Sequence, residues 1–271
     1  MRAPAPAKIN LALVVGPVRD DGKHELVTVY QRIGLADRIE LEPAGTFRVD
    51  GFLADTLVRR ALEGLAARAG VEPHWRVHIE KRLPVAAGLG GGSSDAATAL
   101  RLANSTLPEP LPDDDLRAIA IQLGADVSFF LADGPQLGTG DGSELAPLDV
   151  PQDFWILLVL PHDAVKASTG SVYDAFDARD GAAGFAGRSA ALNEVVAGLR
   201  RPRDLAALPP NDLASSPLAG ELRALGAFRA DVSGAGPTVY GLFHHRPAAE
   251  AAQRALKHVG RTWITAPAWY G

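Results

Sequence analysis

The chain contains no cysteine. That absence excludes disulfides, thiolate metal sites and cysteine nucleophiles, and a disulfide-dependent secreted scaffold with them. Basic charge is not in excess either: 27 Lys and Arg against 32 Asp and Glu leave a formal charge of -5 and a pI near 5.8. A protein that grips nucleic acid through its bulk field is therefore not indicated, although a local basic pocket is allowed. Long hydrophobic runs are missing as well. The most apolar stretch, Phe154 to Leu160, is closed by Pro161 and falls far short of the roughly 20 residues that cross a bilayer. The start, Met1 to Asn10, lacks the charged region and the apolar core of about 7 to 15 residues of an export signal, so the expected location is the cytoplasm, with no membrane partner. There is no internal repeat and no low-complexity segment beyond a general enrichment in Ala, Gly and Pro.

What is present suits a folded, compact chain. Apolar residues make up 47% and charged residues 22% of 271 positions, enough for one large domain or two modest ones. Ala7, Ile9, Leu11 and Leu13 alternate with Lys8, Asn10 and Ala12, which predicts a first strand. A turn at Asp20 to Gly22 leads to a second extended run, His24 to Glu42, interrupted near Gly34. Leu57, Val58, Ala61, Leu62 and Leu65 recur at helical spacing with Gly70 as the stop, and Trp75, Val77 and Ile79 mark another half-buried strand. An alanine-rich helix is expected from about Ser94 to Asn104, and another from the acidic trio Asp113 to Asp115 to Leu123, followed by extended, turn-rich chain to Leu148.

Pro151 to Asp153 is the candidate boundary, giving domains 1–152 and 153–271. Beyond it the pattern predicts helices near Ser168 to Asp177, Leu192, Leu218 and Ala248 to Val259, with strands after residue 153 and at Ala230, Val239 and Trp263. Strands and helices are interspersed without a regular βαβ rhythm, so the fold class is α+β in two layers.

The strongest chemical signal is the run Pro84, Val85, Ala86, Ala87, Gly88, Leu89, Gly90, Gly91, Gly92, Ser93 and Ser94, set between a strand and a helix. Its glycines remove side chains that would hold an anion away from backbone N–H groups, and a helix N-terminus adds further donors. No Gly-Lys-Ser/Thr follows, and Ser93 stands where a dinucleotide fingerprint needs its third glycine, so a different phosphate loop is implied. The competing reading is a flexible connector. A second cluster, Ser233 to Thr238, taken alone is more often a hairpin turn than a ligand contact, and Gly138, Gly140 and Gly142 read as turns. On pattern alone Lys8 is the solvated side of an edge strand, Asp126 a helix cap and His24 a generic loop histidine.

In order along the chain, Pro6-Ala-Lys8-Ile-Asn10-Leu, Asp21-Gly-Lys23-His24-Glu-Leu, Lys81 through the glycine run to Ala97, Leu123-Gly-Ala-Asp126-Val, Asn211-Asp212-Leu213 and Ser233-Gly-Ala-Gly236 resemble the GHMP small-molecule kinases. The likeness is greatest to the branch acting on a cytidine-diphosphate ester in non-mevalonate isoprenoid synthesis. It implies a two-domain α+β kinase, with an N-terminal domain like ribosomal protein S5, a ferredoxin-like C-terminal domain and the active site in the cleft between them. It further implies ATP held by Pro84 to Ser94, a catalytic pair Lys8 and Asp126, and Mg2+ with Ser94 as a candidate ligand. Asn10 and His24 fall where the family contacts the cytidine substrate; Thr169 borders its cleft and Tyr173 stacks on cytosine.

Small molecules rather than nucleic acid are the implied partners, and monomer and homodimer stay open. Two departures stand out. Lys23 replaces the aromatic residue usual before the histidine, and Thr56 replaces an asparagine often found near the adenine. A homoserine- or mevalonate-type kinase and a non-catalytic nucleotide-binding relative are the alternatives.

Overall fold

The structure, a computed structural model, describes residues 1–52, 56–164 and 168–268. The first half runs β1 (Arg2–Val18), β2 (His24–Pro43), β3 (Arg48–Asp50), α1 (Leu57–Ala69), β4 (Trp75–Glu80), α2 (Gly91–Asn104), α3 (Asp113–Leu123) and α4 (Ala125–Leu131). Next come β5 (Gln136–Thr139), β6 (Glu144–Pro147), β7 (Trp155–Pro161), α5 (Thr169–Asp177) and α6 (Phe185–Gly198). A 3-10 turn at Pro202–Ala207 leads to α7 (Pro217–Ala224), β8 (Arg229–Val232), β9 (Val239–Phe243), α8 (Arg246–Leu256) and β10 (Gly260–Thr265). No described helix is long and apolar enough to cross a membrane.

The chain forms two compact units, and β1 and β2 pass through both. One unit comprises Met1–Ala7, Leu35–Val85 and Gly90–Asp133. In it β4 pairs antiparallel with the second half of β2 and parallel with β3. α1 packs on α2 and α3, and α4 packs on both α2 and α3. Burial of Val58, Ala61, Leu62, Leu65 and Ala66 gives α1 its inward stripe. It stops where Gly70, at φ 68°, turns its N–H back to Ala66 and Ala67 carbonyls, a conformation that glycine adopts without penalty. The buried alanines of α2 (Ala96, Ala97, Ala99, Ala103) are small enough to let its neighbours approach closely.

The other unit comprises Lys8–Gly34, Ala86–Leu89 and Gly134–Gly271. Its four-stranded antiparallel sheet has the order β10-β7-β9-β8. With α5 to α7 between β7 and β8, and α8 between β9 and β10, this is the split β-α-β-β-α-β arrangement of a ferredoxin-like layer. α7 and α8 cover it through Leu218, Leu222, Ala249, Ala252 and Leu256, packed on Leu157, Val159 and Phe243. A hairpin of β5 and β6 adds to the first half of β2, turning at Gly140 (φ 66°) and Gly142 (φ 95°) as expected from their spacing.

Three expectations are corrected. β2 is continuous through Gly34 rather than interrupted. α2 opens at Gly91, three residues before Ser94, so the last glycines belong to the helix. Residues 125–131 are helical, not extended: Val127, Ser128, Phe129, Phe130 and Leu131 are all buried, and burial on every side erases the periodicity that would reveal so short a helix.

Candidate active site

In one unit the glycine run becomes the first turn of α2. Gly90 is the N-cap at φ 69°, and Ser94 N–H already donates to Gly90 O at 2.9 Å. The N–H groups of Gly91, Gly92 and Ser93 therefore fall in the turn that has no intrahelical acceptor, where the helix dipole favours an anion. Ser94 Oγ is buried with no hydrogen-bond partner among the described residues. Asp126 is half-buried in the first turn of α4, the helix packed on α2. Its cap reading is corrected by two positions: Gly124 is the N-cap, and Asp126 lies inside the helix. Thr56, at the N-cap of α1, is exposed and makes no side-chain cap bond.

In the other unit lies Lys8, and the edge-strand reading fails for it: the side chain is 4% exposed, because both faces of β1 are buried here. Its Nζ donates to Asn10 Oδ1 at 2.7 Å, and Asn10 Nδ2 donates to Thr28 Oγ1 at 2.8 Å. Thr28 Oγ1 in turn donates to Ala12 O at 2.7 Å, so a chain of bonds between β1 and β2 orients the ammonium. The Tyr30 ring centroid lies 5.6 Å from Nζ, within reach of a cation–π contact. Thr28 and Tyr30 gave no sequence signal, since strand alternation does not report which residues face each other across a register.

The second glycine cluster is both the β8–β9 connection and a wall of this site. Ser233 Oγ donates to Gly88 O at 2.9 Å, and a Cβ on Gly234 would lie 3.4 Å from Asn10 Oδ1 and 3.5 Å from Lys8 Nζ. Asn211 braces it: its Nδ2 donates to Val232 O (2.9 Å) and Gly234 O (2.6 Å), while its N–H is held by Asp231 Oδ2 at 2.9 Å. Burial pushes the Asp231 carboxyl up, against the pull of these bonds and of Arg229.

Gly88 is constrained twice, by φ 78° and by Ser233 O only 2.1 Å from where its Cβ would sit. Gly88→Ala is expected to lower Tm by about 5 °C or more, since the left-handed conformation alone costs roughly 1–2 kcal/mol for other residues. A thermal melt checks this, and an unchanged Tm would show that the loop relaxes around a methyl group. The neighbouring Ala86 holds a left-handed φ of 52° without being glycine, strain of the kind that collects at functional loops.

His24 and Tyr173 meet directly. Their rings stack with centroids 4.9 Å apart at 25°, and Phe176 meets His24 edge-on at 5.7 Å. His24 Nδ1 donates to Gly16 O at 2.8 Å, and Nε2 faces Asp177 Oδ2 at 3.4 Å. One face of Tyr173 is thus covered by His24. Lys23 takes no part in this stack: its ammonium pairs with Asp141. Burial pulls the Asp141 carboxyl up, but the bonds from Lys23 and Ser143 outweigh it and hold the group below the usual range. Thr169 is exposed at the first position of α5, whose N-cap Ser168 accepts from Ser171 N–H at 3.0 Å.

Residues 56–134 match the family described as GHMP kinases N terminal domain, and residues 214–262 match GHMP kinases C terminal. The 4-diphosphocytidyl-2-C-methyl-D-erythritol kinase of Anaeromyxobacter sp. (strain Fw109-5) is 42% identical over 270 residues, covering 93% of this chain and 85% of that protein. A crystal structure of 4-(cytidine 5'-diphospho)-2C-methyl-D-erythritol kinase matches with a TM-score of 0.79 at 32% identity, covering 99% of this chain and 100% of that one. A homoserine kinase from Cytophaga hutchinsonii matches with a TM-score of 0.71 at 17% identity over 97% of this chain and 95% of its own, a likeness of fold alone.

Proposed function

The chain belongs to the GHMP kinases and, within them, to the 4-diphosphocytidyl-2-C-methyl-D-erythritol kinases, and from that premise we propose how its residues carry the reaction. It phosphorylates the 2-hydroxyl of 4-diphosphocytidyl-2-C-methyl-D-erythritol with ATP, in the non-mevalonate route to isoprenoids. Transfer through a loose transition state needs positioning and charge neutralisation more than covalent chemistry. Pro84 to Ser94 bind the phosphates through backbone N–H groups, Lys8 neutralises charge on the transferred group, and Asp126 accepts the proton as the hydroxyl attacks. The observation that carries the reading is that the glycine run ends as the first turn of α2, a ready phosphate site.

Magnesium supplies further neutralisation when it arrives with ATP. The unpartnered hydroxyl of Ser94 fits such an ion, which takes few protein oxygens and keeps phosphate and water ligands. Asn10 orients Lys8 as well as lying where the substrate is read. We place the division between the family's two domains at 152 and 153, which leaves the N-terminal match, residues 56–134, before it and the C-terminal match, residues 214–262, after it.

ATP consumption by the purified protein with 4-diphosphocytidyl-2-C-methyl-D-erythritol, homoserine and mevalonate tests the reading. Turnover is expected with the first alone; turnover with homoserine in its place would mean that Lys23 marks a changed substrate.

Tyr173→Ala is expected to raise KM for the cytidine substrate by roughly tens-fold, the value of about 1–3 kcal/mol for stacking a base on an aromatic ring, with KM for ATP little changed. Lys23→Tyr should lower it, since a second ring near His24 would restore a sandwich. Steady-state kinetics with each substrate varied in turn decide this. An unaltered KM in Tyr173→Ala would place the cytosine elsewhere.

A further inference from the structure

Lys81 opens the glycine segment, and the reading above leaves it without a role. Its Nζ donates to Asp37 Oδ2 at 2.6 Å and to Asp95 Oδ2 at 2.5 Å. Both carboxylate side chains are wholly buried and the lysine is 14% exposed. Asp37 Oδ1 accepts from the backbone N–H groups of Arg82 (2.5 Å) and Leu83 (2.7 Å). Three segments are thereby joined: β2 through Asp37, the chain entering the loop through Lys81 to Leu83, and α2 through Asp95, just after the loop has become helix.

Gly91, the first residue of α2, packs on the same group. A Cβ there would lie 3.2 Å from Lys81 Nζ, 3.3 Å from Leu83 Cδ1 and 3.4 Å from Asp37 Oδ2. Glycine at 91 therefore lets the helix start close against a buried ion cluster, a reason separate from room for a ligand. Two carboxylates share one ammonium, and such buried clusters contribute little net stability over apolar packing of the same volume. What they do supply is fixed geometry, since the ammonium is bonded to both carboxylates and Asp37 is bonded in turn to two backbone donors.

We propose that Lys81, Asp37 and Asp95 form a positioning clamp that holds the first-turn N–H donors of α2 in register for the phosphates of ATP, an inference that rests on assigning this loop to ATP. Lys81 acts through the loop rather than on the nucleotide. Burial pulls its ammonium pKa down, but the charge of Asp95 and the bonds to both carboxylates more than offset this and leave it above the usual lysine range, so the ammonium keeps its charge through neutral pH.

Lys81→Arg and Asp95→Asn test the clamp, because each keeps a polar group of similar size and is less disruptive than deleting the ammonium. Measured below each variant's Tm, KM for ATP is expected to rise about tenfold or more while KM for the cytidine substrate stays within about twofold, the cost of misplacing binding groups by a fraction of an ångström. In the parent, ATP should slow amide hydrogen exchange at residues 90–94, and in the variants that protection should weaken.

An unchanged KM for ATP in both variants, with protection intact, would overturn the clamp alone. So would a lower KM for ATP in Asp95→Asn, which would mean that the released ammonium contacts the nucleotide directly. Parallel rises in both KM values that track lost stability would reduce the cluster to fold support. Absence of ATP protection at 90–94 in the parent would overturn the loop assignment, and the clamp with it.

Discussion

Asp126→Ala is expected to lower kcat by about 100-fold or more while ATP affinity stays within severalfold, because a positioned base acts at the acceptor hydroxyl and not on the nucleotide. Thermal stability, measured alongside, separates this loss from a folding defect. Asp126 lies in the first turn of α4, where a carboxylate stabilises the positive helix end by about 0.3–1 kcal/mol, so a melt of the variant measures what stability is lost apart from the chemistry. A carboxylate suffices as the acceptor when the proton leaves late in a loose transition state. Asp126→Asn keeps the volume and should lose nearly as much turnover. Single-turnover rates and calorimetric ATP titration decide the matter, and a kcat near that of the parent would return Asp126 to a helix-stabilising role.

Lys8→Met should reduce kcat/KM by about 1,000-fold, the scale seen when a cation is withdrawn from a transferred phosphoryl group. The methionine stem fills much of the same space, but Asn10 Oδ1 loses its 2.7 Å donor, a buried vacancy costing about 1–3 kcal/mol. The melt should therefore show a moderate drop together with the kinetic collapse. Asn10→Leu provides the contrast: the cation stays but the bond chain to Thr28 is cut, so a smaller loss of about 10- to 100-fold is expected from misorientation alone. If Lys8→Met kept kcat/KM within about tenfold of the parent, the ammonium would be a structural member of the β1–β2 pair and nothing more.

Much of this site was legible from local pattern, for identifiable reasons. The glycine run announced itself because so many small residues between a strand and a helix have few other uses, and α1 and α3 ended where Gly70 and Gly124 stand, since helix termination is a local event. Lys8 was misread on pattern alone because alternation assigns residues to two faces without saying whether both will be covered. The stack of His24 on Tyr173 joins residues far apart in the chain, and no turn or period encodes it.

Local pattern was enough for the fold class and the order of the chemical segments, because hydrophobic period, turn residues and motif spacing are properties of short stretches, while the family came from the resemblance of those segments to known kinases. Tertiary structure alone decided which polar groups would be buried together: Lys8 with Asn10 and Thr28, Ser233 with Gly88, Lys81 with Asp37 and Asp95. Such pairings depend on strand register and helix packing summed over the whole core. A buried polar group must find a partner wherever the fold delivers one, and chain separation imposes only a slowly growing entropic cost on that choice.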